Sequence, residues 1–174
     1  NKQLCSILKT TTVDESTIKD IYELNIQYTV QIKAYEKRDD DLIIAVQPLT
    51  NFSFSDIEVK EINNIYCLTS DSLNQIKTFL KRIMKVLVIL HNKGYCHGSI
   101  SCDCIFTDSN NEAILGGFEK TCCKYTDDNQ IKYDILSVAL VFLSIINLRY
   151  IEAIHQNVNV SRDNKYQIAK KLIA

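Results

Sequence analysis

The chemistry-bearing side chains of this chain crowd into one stretch. It runs His97-Gly98-Ser99-Ile100-Ser101-Cys102-Asp103-Cys104, with Gly117-Phe118-Glu119 a little further on. Ser99 carries no carboxylate and is no general base near neutral pH. Cys104 and Gly117 offer no hard oxygen, which is what magnesium requires. Asp103 and Glu119 are the nearby hard groups, and both read as solvated carboxylates. Cys102, Cys104, Cys122 and Cys123 do not fall at the C-x-x-C spacing of a zinc site. The stretch is therefore expected to hold no metal, and His97 reads as a packed core histidine.

Such a stretch needs elements to position it. Upstream, apolar residues at 73, 76, 79, 80, 83, 86, 87 and 90 form one helical stripe, with Asp71 as the expected cap. That helix ends at Leu90-His91 and leads straight into the stretch. Downstream, Ile135 to Ile146 is apolar nearly all round, as a central buried helix must be, and is too short to span a bilayer. Towards the N-terminus, Gln3–Thr10 reads as a strand and Glu15–Leu24 as a helix capped by Thr12 or Asp14. Tyr28–Glu36 and Asp41–Val46 read as two strands around the charged hairpin Lys37-Arg38-Asp39-Asp40. Ser55–Leu68 is expected to be a loop with a short helix. Leu148–Gln156 and 160–174 are expected to be two further helices, the second capped by Ser161.

This order of elements resembles the eukaryotic protein kinase family, in degenerate form. His97-Gly98-Ser99 stands where the family has His-Arg-Asp, and Ile100-Ser101-Cys102-Asp103-Cys104-Ile105-Phe106 stands where it has L-K-x-x-N-I-L. Gly117-Phe118-Glu119 stands at D-F-G, and Tyr133-Asp134-Ile135-Leu136-Ser137 resembles the opening of the F-helix. The resemblance is closest from Leu73 to Ile146. It implies an α+β, protein kinase-like fold over 1–174. Residues 1–49 would be a partial small lobe of antiparallel strands plus a C-helix, with the hinge. Residues 50–174 would be a mostly helical large lobe lacking its C-terminal end. The resemblance also implies a vestigial nucleotide pocket of Lys9, Val46, Gln47, Leu49 and Phe106. Lys9 would be the phosphate lysine, paired with Glu15 or Glu23. Val46 would be the gatekeeper, and Gln47-Pro48-Leu49 the hinge whose backbone meets adenine. Ile7 would stand at the family's alanine and partly fill the adenine slot. Phe106 would lie beneath the base. His97 and Phe118 would join an apolar column, and Asp134 would bond the catalytic-loop backbone.

In that register the base, the loop lysine and both metal ligands are replaced, by Ser99, Ser101, Cys104 and Gly117. Phosphoryl transfer depends on positioning and charge neutralisation, and losing one electrostatic donor typically removes about 2.7–4 kcal/mol of transition-state stabilisation. The expected protein is a pseudokinase, a non-catalytic scaffold or regulatory domain. No cofactor is expected, a metal-independent ATP contact being the one ligand left open. The partners implied are proteins, such as an active kinase or another enzyme. The competing readings are an atypical or weakly active kinase, a truncated kinase mimic that competes for a kinase's partner, and an unrelated helical domain. Atypical kinases keep their catalytic and metal-binding Asp residues, which Ser99 and Gly117 do not supply.

Composition fits one globular domain. The 174 residues are enough for one core, the formal net charge is −1, and no basic block marks a nucleic-acid surface. Seven cysteines without regular spacing read as reduced thiols, in the cytoplasm or nucleus.

Overall fold

A computed structural model describes residues 5–51, 57–62, 65–110 and 112–157. The fold is α+β, with small antiparallel sheets and, among the described residues, four α-helices. The chain divides into two compact units, Asn1–Phe52 with Phe79–Ala139, and Ser53–Thr78 with Leu140–Ala174.

The first unit begins with strand β1 (Ser6–Thr10) and helix α1 (Glu15–Leu24). Asp14 caps α1, its carboxylate accepting the Thr17 N–H at 2.6 Å. Strands β2 (Ile32–Arg38) and β3 (Asp41–Val46) follow, joined through Asp39 and Asp40. Asp39 takes the left-handed φ of 54° that two-residue hairpin turns use. The sheet order is β1-β3-β2, all antiparallel. On β3 every second residue (Leu42, Ile44 and Val46) is buried, and Ile18 of α1 packs against that face with no exposure at all. Strand β4 (Thr50–Asn51) closes this part of the unit.

The second unit contains an antiparallel hairpin of β5 (Val59–Ile62) and β6 (Ile65–Leu68). A loop and short helix were expected there. Val59, Ile62 and Ile65 are β-branched, which accounts for strands instead. Helix α2 (Ser70–Asn92) follows. Its first turn is capped by the Thr69 hydroxyl, which accepts the Ser72 N–H at 3.2 Å, rather than by Asp71. The Ser72 hydroxyl in turn accepts the Glu58 N–H at 2.6 Å, tying the hairpin to the helix start.

The first unit resumes within α2. Strand β7 (Tyr95–Cys96) leads to a 3-10 turn at Cys102–Cys104, strand β8 (Ile105–Thr107) and strand β9 (Ala113–Leu115). Strands β4, β8 and β9 form one sheet in that order. Helix α3 (Phe118–Thr121) and strand β10 (Cys123–Lys124) come next, β10 pairing with β7. The Tyr95 phenol on β7 donates to Asp20 of α1, and burial and that carboxylate hold the phenol protonated.

Helix α4 (Asp128–Asn157) is longer than expected and does not break near Asn147. No Gly or Pro interrupts it, so nothing stops the helix there. Asp127 starts it, accepting the Asn129 N–H at 2.6 Å. Extending the apolar run changes its length class: Asp128–Arg149 has 22 residues and contains an 18-residue window of mean hydropathy 1.8, long and apolar enough to cross a membrane by those two measures. Asp134 and Val138 on it are buried, while Leu136, Leu140 and Leu143 are more than half exposed. The expected helix over 160–174 lies outside the described residues.

Candidate functional site

The candidate site lies wholly in the first unit and is held by Asp134. This carboxylate has no exposure. One of its oxygens accepts the His97 N–H at 2.8 Å and the other accepts the Gly98 N–H at 2.8 Å. His91, in the last turn of α2, bonds the first oxygen through Nε2 at 2.9 Å. A buried charge persists only when it is hydrogen-bonded, and here the bonds fasten α4 to the entry of the 97–104 stretch. The structural role expected of Asp134 is thus its observed role.

His97 is fully buried. Its Nε2–H donates to the Gly116 carbonyl at 2.8 Å, and its Nδ1 accepts the Ser99 N–H at 3.4 Å. Both ring nitrogens are used by the neutral imidazole. Burial, the largest effect, together with the Lys120 charge, pushes its pKa down, against Gly116 and Asp134, which favour the charged form. Phe118 packs beside it in a tilted arrangement, with ring centres 5.1 Å apart. His97 and Phe118 are therefore packed together, as expected of core residues.

Around this frame stand the positions expected for catalytic groups. The Cys104 thiol is buried and bonds the Ser99 carbonyl at 3.2 Å, with the Ser101 hydroxyl 3.6 Å away. The Lys120 ammonium stands 3.9 Å from that thiol. Gly117 has φ +84°, a left-handed conformation, and a Cβ on it would meet the Cys104 sulfur at 2.7 Å. Gly116 is similarly confined, since a Cβ would meet Val30 at 2.7 Å and Phe106 at 2.8 Å. Glu119 is partly exposed at the edge of the neighbouring pocket.

That pocket occupies the place expected for a nucleotide. Leu8, Ile18, Ile44, Val46, Leu49 and Phe106 are among its apolar walls, and Gly117, Phe118 and Glu119 close one end. The free volume left between them is about 20 Å³. A void of roughly 10–15 Å³ by the same measure holds one water, so the walls have closed on each other. Val46, Leu49 and Phe106 are brought together as expected. Gln47 is not among the walls. The hinge donors are also occupied: Gln47 N–H bonds the Gln31 carbonyl at 3.0 Å, and Leu49 N–H bonds the Ser6 hydroxyl at 3.0 Å. Pro48 between them has no N–H.

Lys9 is not brought to this site. In β1 the residues at 6, 8 and 10 face the core side and those at 7 and 9 are exposed. Lys9 forms an exposed ion pair with Asp41 at 2.7 Å, and Glu23 sits 3.9 Å from Lys19. Ile7 is 61% exposed, so Leu8, not Ile7, supplies the bulk that fills the slot. The sequence reading missed Leu8, Ser6 and Gln31. The signal for Leu8 was strand register: Ser6, Leu8 and Thr10 pair with Val46, Ile44 and Leu42, the three residues of β3 that alternate inward.

No protein-family model matches this sequence, and no curated protein matches it closely enough to count as a relative.

Proposed function

We propose that this chain is a degenerate kinase-like domain that acts by binding proteins, as a scaffold or regulator, and performs no phosphoryl transfer. The observation that carries this reading is the closed apolar slot beside the Asp134–His97–Gly116 frame. The frame that would position a catalytic loop is fully bonded, while the space that would hold a nucleotide is filled by Leu8, Val46, Leu49 and Phe106. The hinge N–H groups are used within the protein. The residues in the catalytic and metal positions are Ser99, Ser101, Cys104 and Gly117, and none carries a charge suited to the task. Exposed apolar side chains on α4, Leu136, Leu140 and Leu143 among them, give such a domain surface for a protein partner.

The reading makes the vacancies cumulative. Ser99→Asp restores one carboxylate and leaves the other roles empty. The expected result is no transfer of labelled phosphate from ATP and magnesium to the domain or to a generic protein substrate. A measurable rate in that single variant, absent from the parent, would overturn the reading.

A further inference from the structure

Cys96 and Cys123 face each other across the shortest sheet in the first unit. Strands β7 and β10 pair over only two residues each, with Cys123 directly opposite Cys96 and Lys124 opposite Tyr95. The two sulfurs are 3.6 Å apart, and the Cys96 thiol also donates to the Cys123 carbonyl at 3.6 Å. Directly opposed residues of an antiparallel pair have Cα atoms about 4.5–5.5 Å apart, inside the roughly 4.4–6.8 Å range of disulfides. Closing the bond therefore asks for side-chain rotation rather than strand movement. All seven cysteines are free thiols in this structure.

The pair is chemically unequal. Cys123 is exposed and Cys96 is buried. Both border an open depression of about 450 Å³, with Gly98, Thr121 and Gln130 on its other sides. Burial, then the bond and charge of Cys123, push the Cys96 thiol up to about 12, so it keeps its proton and does not react first.

We infer that Cys96 and Cys123 form a peroxide-modified site, in which Cys123 is the thiol attacked first and Cys96 resolves it into an intramolecular disulfide. The Cys123 thiolate attacks one oxygen of hydrogen peroxide. An S–O bond forms, the O–O bond breaks, and the departing hydroxide takes up a proton as water, leaving a sulfenic acid. The Cys96 sulfur then attacks the Cys123 sulfur. The S–S bond forms, the S–O bond breaks, and the second hydroxide leaves with the Cys96 proton as water. The two thiols lose two electrons and the peroxide gains them. Contact between the sulfurs replaces a bimolecular encounter, which compensates for the low acidity of Cys96.

The bond would enclose the chain from 96 to 123, which holds every residue of the 97–104 stretch and Gly117-Phe118-Glu119. A two-residue ladder would become a covalent link between β7 and β10. This inference rests on the thiol geometry and stands apart from the kinase-like reading.

The test is to treat the reduced protein with one equivalent of hydrogen peroxide, block remaining thiols with N-ethylmaleimide, and map peptides without reduction. The expected result is a Cys96–Cys123 linkage, assigned by fragmentation, that dithiothreitol reverses and that raises the thermal midpoint until it is reversed. In Cys96→Ser the reaction stops at a Cys123 sulfenic acid trapped by dimedone. In Cys123→Ser, an exposed position that keeps the core intact, Cys96 stays reduced and is alkylated only on unfolding. Oxidation at Cys5 or Cys102 with Cys123 untouched would overturn the inference. So would an oxidised Cys123 with Cys96 still alkylatable, or Cys96 oxidised in Cys123→Ser.

Discussion

Gly117 shows how single residues decide this site. Its φ of +84° suits glycine, and the space a Cβ would need holds the Cys104 sulfur. An aspartate placed there adds left-handed strain of about 1–2 kcal/mol and crowding of about 1–3 kcal/mol. Gly117→Asp is expected to lower unfolding free energy by about 2 kcal/mol or more in urea titrations, with no gain in magnesium affinity; unchanged stability would mean that Cys104 moves freely aside. His97 makes a second residue-scale prediction. Its ordinary pKa is 6.5, and burial lowers it in the folded state. Below pH 6.5 the unfolded chain therefore binds a proton that the folded chain refuses. Stability must fall as pH falls, by up to about 1.4 kcal/mol per pH unit from this group. Imidazole resonances should show His97 still neutral when the unfolded form has titrated. A His97 that titrates at or above pH 6.5 in the folded protein would contradict this. The Lys9–Asp41 pair, by contrast, is exposed and contributes little.

At the scale of elements, legibility followed periodicity. Helix α1 is where Asp14 and the following pattern placed it, and the stripe from Leu73 to Leu90 lies within α2. Strand β3 was legible because Leu42–Val46 is a short apolar run rich in β-branched residues, while its strict alternation of burial is visible only in the structure. Strand β1 was legible as a strand but not in its facing, since Ile7 and Leu8 are both apolar and only pairing with β3 says which one is inside. For the site, the Asp134–His97 frame was readable only through the resemblance of His97-Gly98-Ser99 and Tyr133–Ser137 to kinase motifs. Of the slot, Val46, Leu49 and Phe106 were readable, but Leu8 was not, and neither were Ser6 and Gln31, which occupy the Leu49 and Gln47 N–H groups from positions far away in sequence. The β5–β6 hairpin and the unbroken α4 were missed where local propensity and the absence of a breaker outweighed the expected order of helices. The start of α4 is itself testable. Asp127 accepts the Asn129 and Gln130 N–H groups at 2.6 and 3.3 Å. Asp127→Ala should reduce stability by about 1 kcal/mol, read from denaturant midpoints; no change would move the helix start elsewhere.

At the scale of the whole molecule, the account rests on a slot that the protein fills with its own side chains. A ligand that binds only the folded state raises the thermal midpoint by mass action, so slot closure has a direct readout. The first measurement is thermal unfolding with ATP, once with magnesium and once with a chelator. With about 20 Å³ of free space and the Gln47 and Leu49 donors already bonded, neither condition should shift the midpoint. A shift in chelator alone would mean that Leu8 and Phe106 part to admit a metal-free nucleotide. A shift only with magnesium would mean that Cys104 and Gly117 do not mark empty metal positions, and the non-catalytic account would fail.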